Sequence, residues 1–278
     1  MPWFPDFVAA VELARQQTRV AGKADPVGAY VAALNRGDTH DLETVWSGQV
    51  VVYDPRAGVV KGHRQLRQFV KHSQSLLADR QARSEAEASI VTANRAVVEV
   101  LVHLVHDGQA QVWPAAVVAE SHDHDSVEFR SYLSQLVLDG RRRVRPAILK
   151  PGSGHPDGVV GRYLEALKIG DTEAIVRTFA RDGYYREPIG PPFVHRGAGE
   201  LRAFFKSCFA EGGGIALEPC VITEDIVRCA LEYNCVRWGS HSLQPQAGLA
   251  VFERGPVGLL AGVHVYDDVE AAANTTGG

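Results

Sequence analysis

The chain has 278 residues, of which 45% are hydrophobic and 22% charged, a composition typical of globular rather than disordered or fibrous proteins. Its net charge of −4 argues against a nucleic-acid-binding protein, which usually presents a basic surface. No apolar run approaches the ~20 residues of a membrane-spanning helix, and the chain does not begin with the basic segment of a signal peptide. We therefore expect a cytoplasmic protein with neither a membrane nor a nucleic-acid partner.

In chain order, the pattern predicts an extra N-terminal helix in residues 1–20 and then a first domain over residues 21–140. Apolar residues between Val27 and Leu34 have the spacing of one helix face. A short helix and a strand that ends at Pro55 follow. The remaining predicted elements of this domain are a third helix at about 63–77 and four strands at about 87–93, 96–106, 110–121 and 127–139.

Residues 141–154 carry five basic and no acidic side chains. We interpret them as a basic linker, because five charges without interleaved aromatic residues are few for an RNA or anion site, which is the alternative. The four cysteines lie further along the chain and lack the spacing of a zinc site, so we expect reduced thiols and no metal.

An internal repeat then defines a second domain over residues 155–268. With a constant offset of 133, residues 27–55 match residues 160–188 at nine of 29 positions. The matches include Gly37 and Gly170, each of which suits the C-terminus of the first helix of its repeat. The same order of elements follows, with strands at about 216–223, 227–238, 246–254 and 257–267, and residues 269–278 are predicted to form a disordered tail.

Three helices followed by a long sheet predict an α+β fold. We expect two cone-shaped domains, each a curved antiparallel sheet wrapped on three helices. Duplication of a dimer-forming domain preserves its contact, so the two domains are predicted to form an intrachain pseudo-dimer. The whole protein would then be a monomer or a homodimer.

The motif YVAALNRGD…YDP…KGHRQLRQF and its second copy YLEALKIGD…REP…RGAGELRAF resemble the nuclear-transport-factor-2-like superfamily. Within it, the closest branch is SnoaL-like and ketosteroid-isomerase-like. The tandem layout resembles that of the two-domain epoxide hydrolase/cyclases of polyether biosynthesis. The resemblance implies the fold of both halves, whereas members of the superfamily catalyse several different reactions or none.

The resemblance implies a first set of catalytic candidates. The carboxylate before the strand-ending proline, Asp54 or Glu187, matches the general base of the isomerases. It is alternatively an ordinary strand-end acid that pairs with a neighbouring arginine. Tyr30 and Tyr163 match the tyrosine that donates to the developing oxyanion, and the alternative is a packed core ring.

A second arrangement uses paired carboxylates, as the epoxide openers do. Glu87 would pair with Asp54, and Glu218 with Glu187, to supply an acid and a base at one pH. The alternative is a pair of exposed strand-edge charges. The isomerases carry a further protonated acid on the inner sheet face, but Ala116 and Leu249 occupy the aligned positions.

The predicted pockets are apolar, with few polar groups and no cofactor. The period of two places Tyr233, Cys235 and Arg237 on the inner face of the second sheet. The predicted substrate-binding residues are Trp46, Val100, Val102, Trp113, Phe179, Tyr233 and Arg237.

The leading hypothesis is a cofactor-free acid/base isomerase or cyclase for an apolar polyketide-, terpenoid- or steroid-like small molecule. Epoxide hydrolysis or cyclisation is the second, and a non-catalytic small-molecule-binding or protein-interaction module is the third. The second repeat, which has the fuller motif, is favoured as the working one.

Overall fold

A computed structural model describes residues 25–122, 125–191, 193–255 and 257–269. The predicted N-terminal helix and, apart from Val269, the predicted tail lie outside these residues. The chain divides into two compact units: everything up to Ala110 with Val117–Ser131, and Gln111–Ala116 with everything from Tyr132 onward. The segment predicted to be a linker therefore groups with the second unit.

Among the described residues of the first repeat, the chain forms three helices and six strands. Asp25 accepts a hydrogen bond from the Gly28 amide (2.9 Å) and so caps the first helix, which ends at Gly37 in the left-handed conformation (φ 76°). The elements are α1 (Pro26–Arg36), α2 (His40–Val45), β1 (Val50–Asp54), β2 (Gly58–Lys61), α3 (Gly62–Asp79), β3 (Arg83–Val91), β4 (Arg95–His106), β5 (Gln109–Ser121) and β6 (Val127–Leu133).

The second repeat has the same order. A short helix, α4 (Leu136–Asp139), precedes it. Its helix α5 also ends at a left-handed glycine, Gly170 (φ 79°), as the sequence predicts. The elements are α5 (Gly158–Ile169), α6 (Thr172–Thr178), β7 (Phe179–Arg186), β8 (Val194–Arg196), α7 (Gly197–Cys208), β9 (Gly214–Glu224), β10 (Arg228–Gly239), β11 (His241–Arg254) and β12 (Leu260–Tyr266).

Each repeat builds one six-stranded sheet, which confirms the predicted α+β fold. The strand orders are β2-β1-β6-β5-β4-β3 and β8-β7-β12-β11-β10-β9. The expectation of a wholly antiparallel sheet is wrong: β1 runs parallel to β6, and β7 parallel to β12. Alternation of apolar residues predicts strands but carries no information on the direction of a partner that is distant in sequence.

The helices of each repeat cover their sheet around an apolar core. Tyr30, Leu42 and Leu66 are fully buried in the first core, and Val160 and Leu201 in the second. Among the described residues, no helix is long and apolar enough to cross a membrane.

Candidate functional site

A cavity of about 250 Å³ lies inside the second unit. Side chains from helices α5 and α7 and from strands β7 and β9–β12 line it, and most of them are apolar. The aromatic ones are Tyr163, Tyr185, Phe204, Phe205, Tyr233, Trp238 and Phe252. An enclosed apolar cavity with a few polar groups is the usual form of a small-molecule site.

Asp267 is the first of these polar groups, and it follows β12 directly. Its carboxylate accepts hydrogen bonds from the Tyr233 hydroxyl and, at 3.3 Å, from the Val269 amide. Burial raises the pKa of Asp267 to about 6, and the bond from Tyr233 offsets part of that rise. A carboxyl group with this pKa changes its charge just below neutral pH.

Glu187 is the second polar group that lines the cavity. It lies between β7 and Pro188, at the position of the repeated motif. A carboxylate only accepts hydrogen bonds, and Glu187 Oε1 accepts one from His195 Nε2 at 2.8 Å. The His195 ring is itself stacked on Phe204 with a centroid distance of 4.2 Å. The Glu187 side chain is therefore held in place at the cavity wall by its hydrogen bond with His195.

Tyr163 and Tyr185 add two phenol groups. Tyr163 is only 3% exposed, on α5, and burial raises the pKa of both hydroxyls well above the ordinary value. Within the described part of the chain, neither hydroxyl has a hydrogen-bond partner. A buried hydroxyl without a partner is costly, so both are available to an oxygen atom of a ligand.

Two thiols complete the wall of the cavity. Burial raises the pKa of Cys208 to about 11 and that of Cys235 to about 12, so both are neutral thiols at physiological pH. All four cysteines are free, as the sequence predicts. Neutral, buried thiols act as small apolar side chains rather than nucleophiles.

Of the residues that the sequence proposes for the second repeat, three line this cavity: Tyr163, Glu187 and Tyr233. Phe179 is buried beside Tyr163, with ring centroids 6.0 Å apart, but does not line it. Glu218 is exposed on β9, so the structure does not bring it to Glu187 at the cavity.

Arg237 requires a correction. A β-bulge at Val236 interrupts the ladder between Cys235 and Arg237 on both neighbouring strands. The bulge reverses the alternation of faces, so Trp238 and not Arg237 reaches the cavity. The Arg237 guanidinium instead donates to the carbonyl oxygens of Lys168 (2.6 Å) and Gly239 (2.9 Å).

The first repeat places its candidates in a packed interior. Tyr30 is fully buried and stacks on Phe129 with a centroid distance of 4.4 Å. Its hydroxyl is hydrogen-bonded to Ser131 at 3.3 Å. Trp46 meets the edge of Phe129 at 6.2 Å. These rings fill the interior of the first repeat around Tyr30.

The other first-repeat candidates are distributed along the first sheet. Glu87 lies in a bulge of β3 between Ala86 and Ala88 and is half-buried. Val100 and Val102 are buried on β4. Trp113 is buried on β5, and its indole donates to the Ser134 carbonyl at 2.7 Å. None of these side chains is among the described residues that line the cavity.

Asp54 closes a turn. Its Oδ1 accepts hydrogen bonds from the amides of Arg56 (2.8 Å) and Ala57 (2.9 Å) between β1 and β2. We expect Asp54→Ala to lower the free energy of unfolding by about 1 kcal/mol, because both bonds are lost at a partly exposed turn. Urea unfolding of the full chain measures this change. Asp54→Asn is the matched control, since its amide oxygen still accepts both bonds, and an equal loss in both variants would contradict this role.

Comparison with known proteins identifies both repeats. The model of the SnoaL-like domain matches residues 27–129 and, a second time, residues 160–255. The chain is similar to a putative polyketide cyclase from Sinorhizobium meliloti (21% identity, 40% of this chain, 94% of that chain, TM-score 0.32). It is also similar to SalBIII, an epoxide hydrolase/cyclase-like enzyme in pyran ring formation in polyether salinomycin (20% identity, 39% of this chain, 86% of that chain, TM-score 0.33). A third similar structure is the Orange Carotenoid Protein of Anabaena (Nostoc) sp. PCC 7120 binding canthaxanthin (16% identity, 45% of this chain, 43% of that chain, TM-score 0.35).

Proposed function

The chain belongs to the SnoaL-like family, and we propose that its second repeat is a cofactor-free acid/base catalyst that isomerises or cyclises a small apolar carbonyl compound. One observation carries this proposal. A carboxyl group with a pKa of about 6, Asp267, faces an apolar cavity together with two phenols that have no partner among the described residues. A general base is most effective when its pKa lies near the working pH.

The size of the cavity supports a small substrate. At the packing density of organic crystals, 250 Å³ accommodates on the order of ten to fifteen non-hydrogen atoms. That corresponds to one or two rings. Of the predicted substrate classes, a compact terpenoid or polyketide fragment therefore suits the cavity better than a four-ring steroid.

In the proposed reaction, ionised Asp267 removes a proton from the carbon next to the carbonyl group. The electron pair of the C–H bond forms the enolate, and its oxygen accepts hydrogen bonds from Tyr163 and Tyr185. Protonated Asp267 then returns the proton to another carbon of the conjugated system, which completes an isomerisation. Tyr233 is a positioning residue, because its hydroxyl holds the Asp267 carboxylate.

This scheme moves the base from Glu187, the sequence-based candidate, to Asp267. The Glu187 carboxylate is engaged in a hydrogen bond with His195, whereas burial raises the pKa of Asp267 to about 6, close to the working pH. We propose Glu187 as the second carboxylate of the site. The first repeat, in which Tyr30 is stacked on Phe129 and bonded to Ser131, has a structural role in this proposal.

The test is exchange of the α-protons of 2-tetralone, a two-ring ketone of suitable size, in D2O, followed by NMR. The wild type is expected to exchange these protons faster than buffer alone. Val263→Phe is the matched control, since it fills the cavity but leaves both carboxyl groups in place, and it should abolish the acceleration. A wild type that binds the ketone without exchanging its protons would favour the non-catalytic binding module.

The pH dependence gives a further prediction. Asp267 must be ionised to accept a proton, so the exchange rate is expected to fall as the pH drops through about 6. The Tyr233 bond lowers the pKa of Asp267, so Tyr233→Phe should shift this limb to higher pH. The profile is measured at saturating ketone from pH 4.5 to 8.5. If the exchange rate instead rises as the pH falls through about 6, Asp267 acts as a general acid and not as the base.

Epoxide opening is the second candidate, because two carboxyl groups, Glu187 and Asp267, share the cavity. In that reaction one protonates the epoxide oxygen and the other deprotonates the attacking hydroxyl. Indene oxide is the probe. Conversion of indene oxide to the diol, together with no exchange of tetralone protons, would replace the isomerase proposal by this one.

A further inference from the structure

The segment just before the second repeat is tied to one buried carboxylate. Asp268 is only 6% exposed and accepts three hydrogen bonds from this segment. The donors are the Ser134 hydroxyl (2.5 Å), the Gln135 amide (2.7 Å) and the Arg143 amide (3.0 Å). These bonds hold both sides of the short helix α4, so the position of residue 142 is fixed by the fold.

Arg142 occupies that position and lines the cavity. As a whole the residue is exposed, so its side chain lies at the cavity opening. Its Nη1 donates to the carbonyl of Val269, two residues after Asp267, at 3.2 Å. Among the described residues, no carboxylate forms an ion pair with Arg142, whereas its neighbour Arg143 pairs with Asp139 at 2.9 Å.

Arg142 thereby gives the cavity a cationic group with unused donors. A guanidinium presents five N–H donors in a planar fork, and one of them is used here. Both carboxylates of the cavity already accept a hydrogen bond, from His195 and Tyr233 respectively. The remaining donors match the two oxygens of a carboxylate brought by a ligand.

We propose that Arg142 forms a carboxylate subsite at the cavity opening, so that the natural ligand is a one- or two-ring carboxylic acid whose apolar body fills the cavity. This inference rests on the proposed function of the second repeat as a small-molecule site. It adds an anionic end to the ligand and gives a binding role to a residue of the predicted linker.

The test compares 2-naphthoate with 2-naphthamide, which have the same shape and differ in charge. Their binding to the full chain is measured by calorimetry at pH 7.5 and low salt. The wild type is expected to bind naphthoate about tenfold more tightly than naphthamide, as a charge-assisted bond at a partly exposed site allows. Arg142→Gln should abolish this preference without weakening naphthamide binding. Arg141→Gln, an equal charge change on the same segment, should keep it.

The outcomes separate the two proposals. Binding of both compounds without a preference in the wild type, or a preference that survives in Arg142→Gln, overturns the subsite and leaves the cavity as a ligand site. A preference lost equally in both arginine variants also overturns it, because the effect is then one of net charge. Binding of neither compound overturns the small-molecule site itself, and the subsite with it.

Discussion

Asp267→Asn is expected to slow α-proton exchange of 2-tetralone about a thousandfold, within the range that a positioned general base contributes. Asparagine has nearly the same shape, and its amide oxygen still accepts the hydrogen bond from Tyr233. The cavity should therefore keep its form and still bind the ketone. What the variant loses is the ability to accept a proton.

Glu187→Gln is the matched control, because it neutralises the other carboxyl group of the same cavity. It removes the negative charge beside His195, whose hydrogen bond the amide oxygen can still accept, and should lower the rate by about tenfold without removing the base. The Kd of the ketone, measured by calorimetry, shows whether each variant still binds. If Glu187→Gln is the more damaging of the two at saturating ketone, the base is Glu187, as the sequence motif predicts.

The order of helices and strands was largely predictable, because the chain contains two copies of the same sequence pattern. The helix motif, the strand-ending prolines and the order of elements recur with one offset, and both glycines that end α1 and α5 were identified. The parallel pairs β1–β6 and β7–β12 were not identified, since each joins strands from opposite ends of a repeat. Local patterns determine strands, whereas the pairing of distant strands depends on how all the helices and strands between them pack.

The site was less predictable, for a reason visible in the ladder registers. Val52 pairs with Phe129, and its counterpart Tyr185 pairs with Val263, so Phe129 and Val263 occupy equivalent positions. Their offset is 134, one more than in the first part of the repeat. Counting on from them, Asp267 is equivalent to Leu133, so comparison of the two repeats reveals no acid that both share.

The sequence does not predict that Arg142 lines the cavity, because this residue precedes the second repeat and lies outside the repeated motif. Arg237 was misplaced because a bulge of one residue is invisible in an apolar strand and reverses every side chain beyond it. Both errors concern which way a side chain points. Composition and periodicity determine that only while the strand stays regular.

The same registers show how the surroundings of Tyr30 and Tyr163 differ. Where the first repeat has Phe129 stacked on Tyr30, the second has the smaller Val263 at the cavity wall. Where the first repeat has Ser131 to bond the Tyr30 hydroxyl, the second has Val265. Val263 thus leaves more space near Tyr163 than Phe129 leaves near Tyr30, and within the described part of the chain the Tyr163 hydroxyl has no hydrogen-bond partner.

Removing the hydroxyl of Tyr163 is expected to slow exchange but not to destabilise the protein, whereas removing that of Tyr30 should do the opposite. Tyr163→Phe should slow α-proton exchange about a hundredfold, the cost of losing one oxyanion donor, and change the free energy of unfolding by less than about 0.5 kcal/mol. Tyr30→Phe should leave the exchange rate unchanged and lower the free energy of unfolding by about 1 kcal/mol, because its bond to Ser131 is lost. Exchange by NMR and urea unfolding are measured on both variants.

Each variant serves as the control for the other, since both change one atom at equivalent positions of α1 and α5. Equal destabilisation of the two would mean that Tyr163 bonds to the protein and is not held for a ligand. Equal loss of exchange would mean that the first repeat also carries out the reaction. Tyr30→Phe is expected to affect only stability, because the Tyr30 hydroxyl is hydrogen-bonded to Ser131. Tyr163→Phe is expected to affect only exchange, because the Tyr163 hydroxyl, without a partner among the described residues, is proposed to bind a ligand oxygen.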